Sequence, residues 1–445
     1  MSSPAYAPEQ RLLVIDDCFA QGRIYDALAA AATALSDPQC QHGSWGPRFA
    51  MLKARALLEL DQFAGAEHER QLAEERADPR ADVVGWLELQ VYDARLQREH
   101  GRETVFTLVD AEHALGLAKH LGAMDHARGR ELRAELHLEK ASLYQRARCV
   151  KLADREVAAA VAILGEQDGR VWLTRSALAL ERDDRLTARA ALETALSCGN
   201  AVRREAHVAT SHVRYLLGEL DAAELALQPI FPFAPGDLTV RRSYLSLLMA
   251  RERWPHAVGL QEEICAQIAG INPAFCSQPE PDADERYLLA RLYERVGRFP
   301  EALAILDGLA SDEHLGPRAQ RMARCMRRPG AQQLPRKRLP AFPTVAQLRN
   351  HCGPASCELY MRFFGLEADQ VEIARQIKEA DGGTPTYKMR HYLMEAGFMT
   401  RRIEADLAVL KRLIDHGIPV IMEEEYSESL HVAIAVGYDD AREVL

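Results

Sequence analysis

From the start of the chain to about residue 310, apolar residues recur at helical spacing and strand-like alternation is nearly absent, so this stretch has to be helix packed on helix. A short signature punctuates it: a bulky apolar residue, two variable positions, then alanine. It occurs at Ile24/Ala27, Phe63/Ala66, Leu220/Ala223, Trp254/Ala257 and Phe299/Ala302. Gly22, Gly218 and Gly297 each stand two residues before the apolar member, where a turn between helices needs a residue tolerant of positive φ. Leu220 and Trp254 are 34 residues apart, and Leu186 lies 34 before Leu220.

This pattern resembles tetratricopeptide repeats, helix–turn–helix units with small residues where the helices meet. Residues 211–229 and 287–309 are the clearest units. The first half diverges: Ile24 to Phe63 spans 39 residues, and about 98–148 yields helices without a register. Trp254 to Phe299 spans 45, because the Pro/Cys-rich segment 271–282 lengthens a connection. The resemblance implies an irregular superhelix whose concave face binds a protein partner or extended peptide and carries little chemistry.

The last quarter of the chain reads differently. Gln347 precedes Asn350-His351-Cys352-Gly353-Pro354-Ala355-Ser356, and Ser429-Leu430-His431-Val432-Ala433-Ile434-Ala435-Val436-Gly437-Tyr438-Asp439-Asp440 follows downstream. Pro354 has a fixed φ and no N–H, which suits the first turn of a helix running through Cys357 to Phe364 and stopping at Gly365. Cys352 then sits at a helix N-terminus, where unpaired N–H groups and the macrodipole favour a thiolate. Gly353 is read as leaving space beside the sulfur. Gln347, five residues upstream, is positioned to join the Cys352 N–H as an oxyanion donor. His431 opens an alternating apolar strand and is the candidate base.

The block from about 340 to 445 resembles the papain-like cysteine peptidases of the bacteriocin-leader-processing type. The resemblance is carried by Gln347, Cys352-Gly353-Pro354-Ala355-Ser356, Tyr360, Phe363-Phe364-Gly365, Ile373-Ala374, Gly383-Thr384, Gly397-Phe398, Gly417-Ile418-Pro419-Val420-Ile421 and His431 through Asp440, in that order. It implies an α+β fold in which a helix carries the cysteine nucleophile and an antiparallel sheet the histidine, with Gln347 in the oxyanion hole. Relatives place an aspartate or asparagine on the strand after the histidine to orient the imidazole. Here 14 residues follow His431 (445 − 431), and no such group is evident. Asp439 and Asp440 read as a turn, Arg442 to Leu445 as the start of a further strand, and the domain as truncated at its C-terminus.

Cys18, Cys40, Cys149, Cys198, Cys265, Cys276, Cys325 and Cys357 read as small apolar core residues. His351 is adjacent to the nucleophile and diverges from it, His391 lies in a helical pattern, and His416 ends a helix before Gly417. Glu423-Glu424-Glu425 reads as an exposed run. Between the two parts, the arginines from Arg318 to Arg338 and the prolines Pro317, Pro329, Pro335 and Pro340 read as a solvated capping helix and a tether. Nucleic-acid binding is disfavoured, because no aromatic residues interleave and the formal charge is −10.

No run of apolar residues reaches the ~18 to 20 of a membrane helix, and the N-terminal residues lack the basic and apolar regions of a signal peptide. Nine cysteines without any Cys-x-x-Cys suggest reduced thiols in the cytoplasm and no zinc site. The expectation is therefore an all-α tetratricopeptide-like solenoid (1–315), a capping helix and basic linker (316–340), and an α+β papain-like cysteine peptidase domain (341–445). No cofactor, metal, nucleic acid or membrane partner is expected. The expected function is a cysteine peptidase acting on peptides or proteins recruited by the repeats. The alternatives are a peptide-binding scaffold with a degenerate peptidase fold, and an acyl transferase using the same Cys/His pair.

Overall fold

A computed structural model describes residues 7–41, 45–60, 62–99, 104–182, 184–198, 203–231, 237–270, 281–328, 330, 334–345, 347–348, 350–379, 383–426 and 429–445, with backbone alone at 63, 99, 424–426 and 429–430. The chain divides into two compact units, Met1–Glu285 and Arg286–Leu445. Among the described residues no strand precedes Arg336.

The N-terminal unit is a succession of helix pairs, beginning Pro8–Ala20 with Ile24–Ser36 and Trp45–Glu59 with Phe63–Arg76. Every residue that heads an alanine signature is also the first residue of a helix: Ile24, Phe63, Leu220, Trp254 and, in the second unit, Phe299. The same turn joins seven pairs. The N–H groups of Arg23, Gln62, Cys149, Asp184, Glu219, Arg253 and Arg298 donate to the carbonyls five residues back, Cys18, Leu57, Tyr144, Ala179, Arg214, Leu248 and Tyr293, at 2.8 to 2.9 Å. This is the six-to-one bond that closes a helix, and the described residues inside these turns, 22, 148, 218, 252 and 297, are all left-handed. Three residues into each following helix stands an alanine, and Ala27, Ala66, Ala153, Ala188, Ala223, Ala257 and Ala302 are all 0% exposed. A larger side chain there would force the paired helices apart.

Four of the seven turns have no glycine two residues before the following helix, so the glycine pattern did not show them. Arg148 and Glu252 take φ of 59° and 54° where Gly22, Gly218 and Gly297 take 68°, 77° and 80°. Val150/Ala153 is therefore a further unit, heading the helix Val150–Leu164 just after the region left without a register. Leu186 is not the counterpart of Leu220, since it is 63% exposed; the helix starts at Arg185, and Ala188 is the buried alanine. Cys149 also departs from expectation. It is exposed in one of these turns, whereas Cys18, Cys40, Cys325 and Cys357 are buried, and Cys276 lies outside the described residues.

In the C-terminal unit the helix Phe299–Gly308 packs on Gly316–Arg327, and a mixed region follows. Strand β1 (Arg336–Arg338), in the segment read as linker, pairs antiparallel with β4 (Gly437–Asp439), setting Lys337 opposite Tyr438. Strands β2 (Val420–Tyr426) and β3 (Ser429–Ala435) form an antiparallel ribbon with Met422 opposite Ala433 and Glu424 opposite His431. Both faces of this ribbon are covered, as the two-residue period requires. Ile421 and Val432 enter a cluster with Cys357, Met361, Ile373, Ile377, Met389 and Leu393, while Val420, Met422 and Ala435 join Leu339 and Ile414. The unit is thus α+β, with a short sheet component that both borders the cysteine helix and ties back the residues just before it.

Candidate active site

The cysteine helix runs Cys352–Phe363 and ends, as its sequence indicates, before Gly365 at φ 81°. Cys352 is its first residue, so the Cys352 and Gly353 N–H groups have no acceptor within the helix. Pro354 follows in the same turn, where its missing N–H costs nothing. Gly353 is required for a reason other than open space beside the sulfur. A Cβ there would lie 2.7 Å from Cβ of Thr384, 3.0 Å from its Cγ2 and 3.1 Å from Sδ of Met389. The glycine lets the 383–389 segment close against the nucleophile's turn.

Cys352 is half-buried and packs against the cluster that includes Met389 and Val432. Val432 is the immediate neighbour of His431 on β3, and β3 packs directly on the cysteine helix. His431 is half-buried, near the hairpin end of the ribbon. Alternation sets it on the strand side shared with Ala433 and Ala435, opposite the side on which Val432 joins the Cys352 cluster. Gln347 is exposed in an irregular segment. The next residue, Leu348, is buried; its carbonyl accepts from the His351 N–H at 3.1 Å, and Asn350 follows it with φ 57°.

The acidic candidates are committed elsewhere. Asp439 Oδ1 accepts from the Ala441 and Arg442 N–H groups at 3.0 and 3.2 Å, the turn expected of it, and Val444 bridges back to Asp439. Asp440 is paired with Lys411. Glu423 accepts from Thr386 Oγ1 and pairs with Arg402 at 3.1 Å, holding β2 to the segments before it. His391 is exposed and pairs with Glu395 at 3.2 Å, and His416 caps the helix Leu407–Asp415 at its C-terminus. Cys357 is fully buried one and a half turns beyond the nucleophile, and burial pushes its thiol up to about 12.

Two groups near the site carried no signal in the sequence. Gln370 is a buried polar residue that accepts from the segment preceding Cys352, Glu358 is a buried one that accepts from the Gln370 N–H, and their proximity arises only when the helices pack. The Thr384 hydroxyl, beside Gly353, is buried without a hydrogen-bond partner. Among the described residues no group of three or more His, Cys, Asp or Glu is placed to hold a metal ion, and no helix is long and apolar enough to cross a membrane.

Residues 339–445 match the model of the Peptidase_C39 like family. A search of curated proteins finds no match. Among solved structures, a tetratricopeptide repeat protein from Parabacteroides merdae aligns over 63% of this chain and 98% of its own, at 15% identity and a TM-score of 0.34. The TPR domain of P58(IPK) aligns over 88% of this chain and 98% of its own, at 12% identity and a TM-score of 0.21. The chain therefore combines a tetratricopeptide-like array of helix pairs with a C-terminal C39-like peptidase domain, the first resting on the recurring turn and its buried alanine.

Proposed function

We propose that the chain is a cysteine peptidase acting on peptide or protein substrates that the helical repeats recruit. Cys352 is the nucleophile, His431 the general base and acid, and Gln347 a donor to the oxyanion. The observation that carries the reading is the first turn of the cysteine helix packing with Val432, next to His431, inside the segment that matches a peptidase family. The limits of the proposal are repeats over 1–315, a helix and linker over 316–340 and the peptidase domain over 341–445, in a cytoplasmic protein whose described cysteines are free thiols.

In the reaction His431 removes the Cys352 proton, and the thiolate adds to the scissile carbonyl carbon. The resulting oxyanion accepts hydrogen bonds from the Cys352 N–H, which has no acceptor in its helix, and from the Gln347 side-chain amide. The C–N bond then breaks, His431 gives its proton to the leaving amine, and a thioester remains. His431 next takes a proton from water, whose oxygen attacks the thioester, releasing the acid and the thiol.

A non-catalytic scaffold is the second reading, favoured by the commitment of Asp439 and Asp440 to a turn and to Lys411. Hydrolysis of a fluorogenic peptide library by the full chain separates the two. Activity lost in both Cys352→Ala and His431→Ala supports the peptidase. No hydrolysis together with no Cys352 acyl-enzyme supports the scaffold. Capture of the acyl group by an added amine in preference to water would redefine the enzyme as an acyl transferase.

A further inference from the structure

Of the described residues between Gln347 and Cys352, Leu348 is held through both of its backbone groups. The Leu348 N–H donates to Oε1 of Gln370 at 2.9 Å, and the Leu348 carbonyl accepts from His351 at 3.1 Å. Gln370 is the first residue of the helix Gln370–Ile377 and only 5% exposed. Its own N–H, one of the helix-start donors with no intrahelical acceptor, is taken by Oε2 of Glu358 at 3.1 Å. Glu358 lies on the cysteine helix itself and is 2% exposed. Its Oε1 pairs with Nη2 of Arg362 at 2.5 Å, and the Arg362 guanidinium also donates to the Ala368 carbonyl at 3.0 and 3.1 Å.

A relay of hydrogen bonds thus runs from the pre-cysteine segment through one helix to the helix that carries the nucleophile. Burying a glutamine amide and a carboxylate is unfavourable unless each is paired, and apolar residues of similar volume would hold the two helices at least as well. Burial pushes the Glu358 carboxyl up, with Arg362 working against it, which marks the cost of keeping a carboxylate there. What a glutamine supplies and a leucine or methionine does not is an acceptor that sets where one backbone N–H must lie.

We infer that Gln370 is a positioning residue for the oxyanion hole: by fixing the Leu348 peptide it fixes its neighbour Gln347 relative to Cys352, and Glu358 fixes Gln370. The inference rests on the peptidase reading above and adds to it two residues outside the Cys–His–Gln set. Gln370 acts through Gln347 and touches no reacting atom, so its signature is loss of reactions that need an oxyanion, with reactions of the same sulfur that need none left intact.

The test compares two reactions at Cys352 in the full chain. With p-nitrophenyl acetate the thiolate adds to the carbonyl carbon, an oxyanion forms, and p-nitrophenolate leaves to give the thioester. With iodoacetamide the thiolate displaces iodide at a saturated carbon and no oxyanion arises. Gln370→Met keeps the volume and removes the acceptor; it should lower acylation about a hundredfold while alkylation stays within about twofold. Unchanged acylation in Gln370→Met overturns the inference. So does a parallel fall of both rates, which would mean general collapse of the site. If the parent chain alkylates at Cys352 but forms no thioester, the peptidase reading falls and takes the inference with it, and the failure is recognisable because it occurs without any substitution.

Discussion

Thiol labelling tests the assignment of Cys352 most directly, because the same domain holds a second cysteine that the fold disables. Cys357 lies five residues on, fully buried, with its thiol pushed up to about 12. At pH 7.5 a thiol at the reference value of about 8.5 is roughly one tenth thiolate, whereas one at about 12 is roughly 3 in 10⁵ thiolate. Ionisation alone therefore slows Cys357 about 3,000-fold, before any opening of the core is required. Cys265, pushed up to about 11 by burial, is suppressed by roughly 300-fold on the same reckoning. Cys149 is exposed in a turn of the repeats and supplies the rate of an accessible thiol within the same molecule. Brief treatment with iodoacetamide, quenched over a time course and read by peptide mass spectrometry, should modify Cys352 ahead of Cys149 and leave Cys357 unmodified. Replacing His431 with alanine should slow Cys352 and leave Cys149 unchanged. Equal labelling of Cys352 and Cys357 in the folded protein would refute the nucleophile assignment, and indifference of Cys352 to the loss of His431 would refute the pairing.

Three further outcomes are expected. Gly353→Ala puts a methyl 2.7 Å from Cβ of Thr384, and such overpacking costs about 1 to 3 kcal/mol; a lowered melting temperature that Thr384→Gly partly restores checks the clash, and an unchanged one contradicts it. The raised Cys357 pKa makes the fold lose stability with alkali: the stabilisation is complete below the ordinary thiol value of about 8.5 and is lost as pH rises towards about 12, at about 1.4 kcal/mol per unit. Chemical denaturation at pH 9 and pH 10.5 should therefore show Cys357→Ala losing about 2 kcal/mol less than the parent over that interval. Finally, Arg148→Gly and Glu252→Gly should each stabilise the N-terminal unit by about 0.5 to 1 kcal/mol, since both residues occupy left-handed φ. Calorimetry showing destabilisation would mean that their side chains matter more than the turn.

What the sequence determined by itself was local. A helix pair is closed by a hydrogen bond five residues long and a left-handed residue, and its second helix begins at a fixed offset with an alanine that must be small. All of that is written within about a dozen consecutive residues, so Ile24/Ala27, Leu220/Ala223 and Phe299/Ala302 were legible. The same chemistry escaped notice at Val150/Ala153, where Arg148 takes the conformation usually given to glycine, and it was misplaced by one residue at Leu186, where a charged residue heads the helix. The order of motifs around Cys352 and His431 was equally readable, as was the turn formed by Asp439. Only the tertiary structure decided which residues surround that cysteine. Thr384 against Gly353, Gln370 against Leu348 and Glu358 against Gln370 join residues from 12 to 31 positions apart (370 − 358 and 384 − 353). A buried hydrogen bond of this kind leaves no periodicity and no local preference in the chain, because its partners acquire a reason to be polar only once packing has removed the water from both.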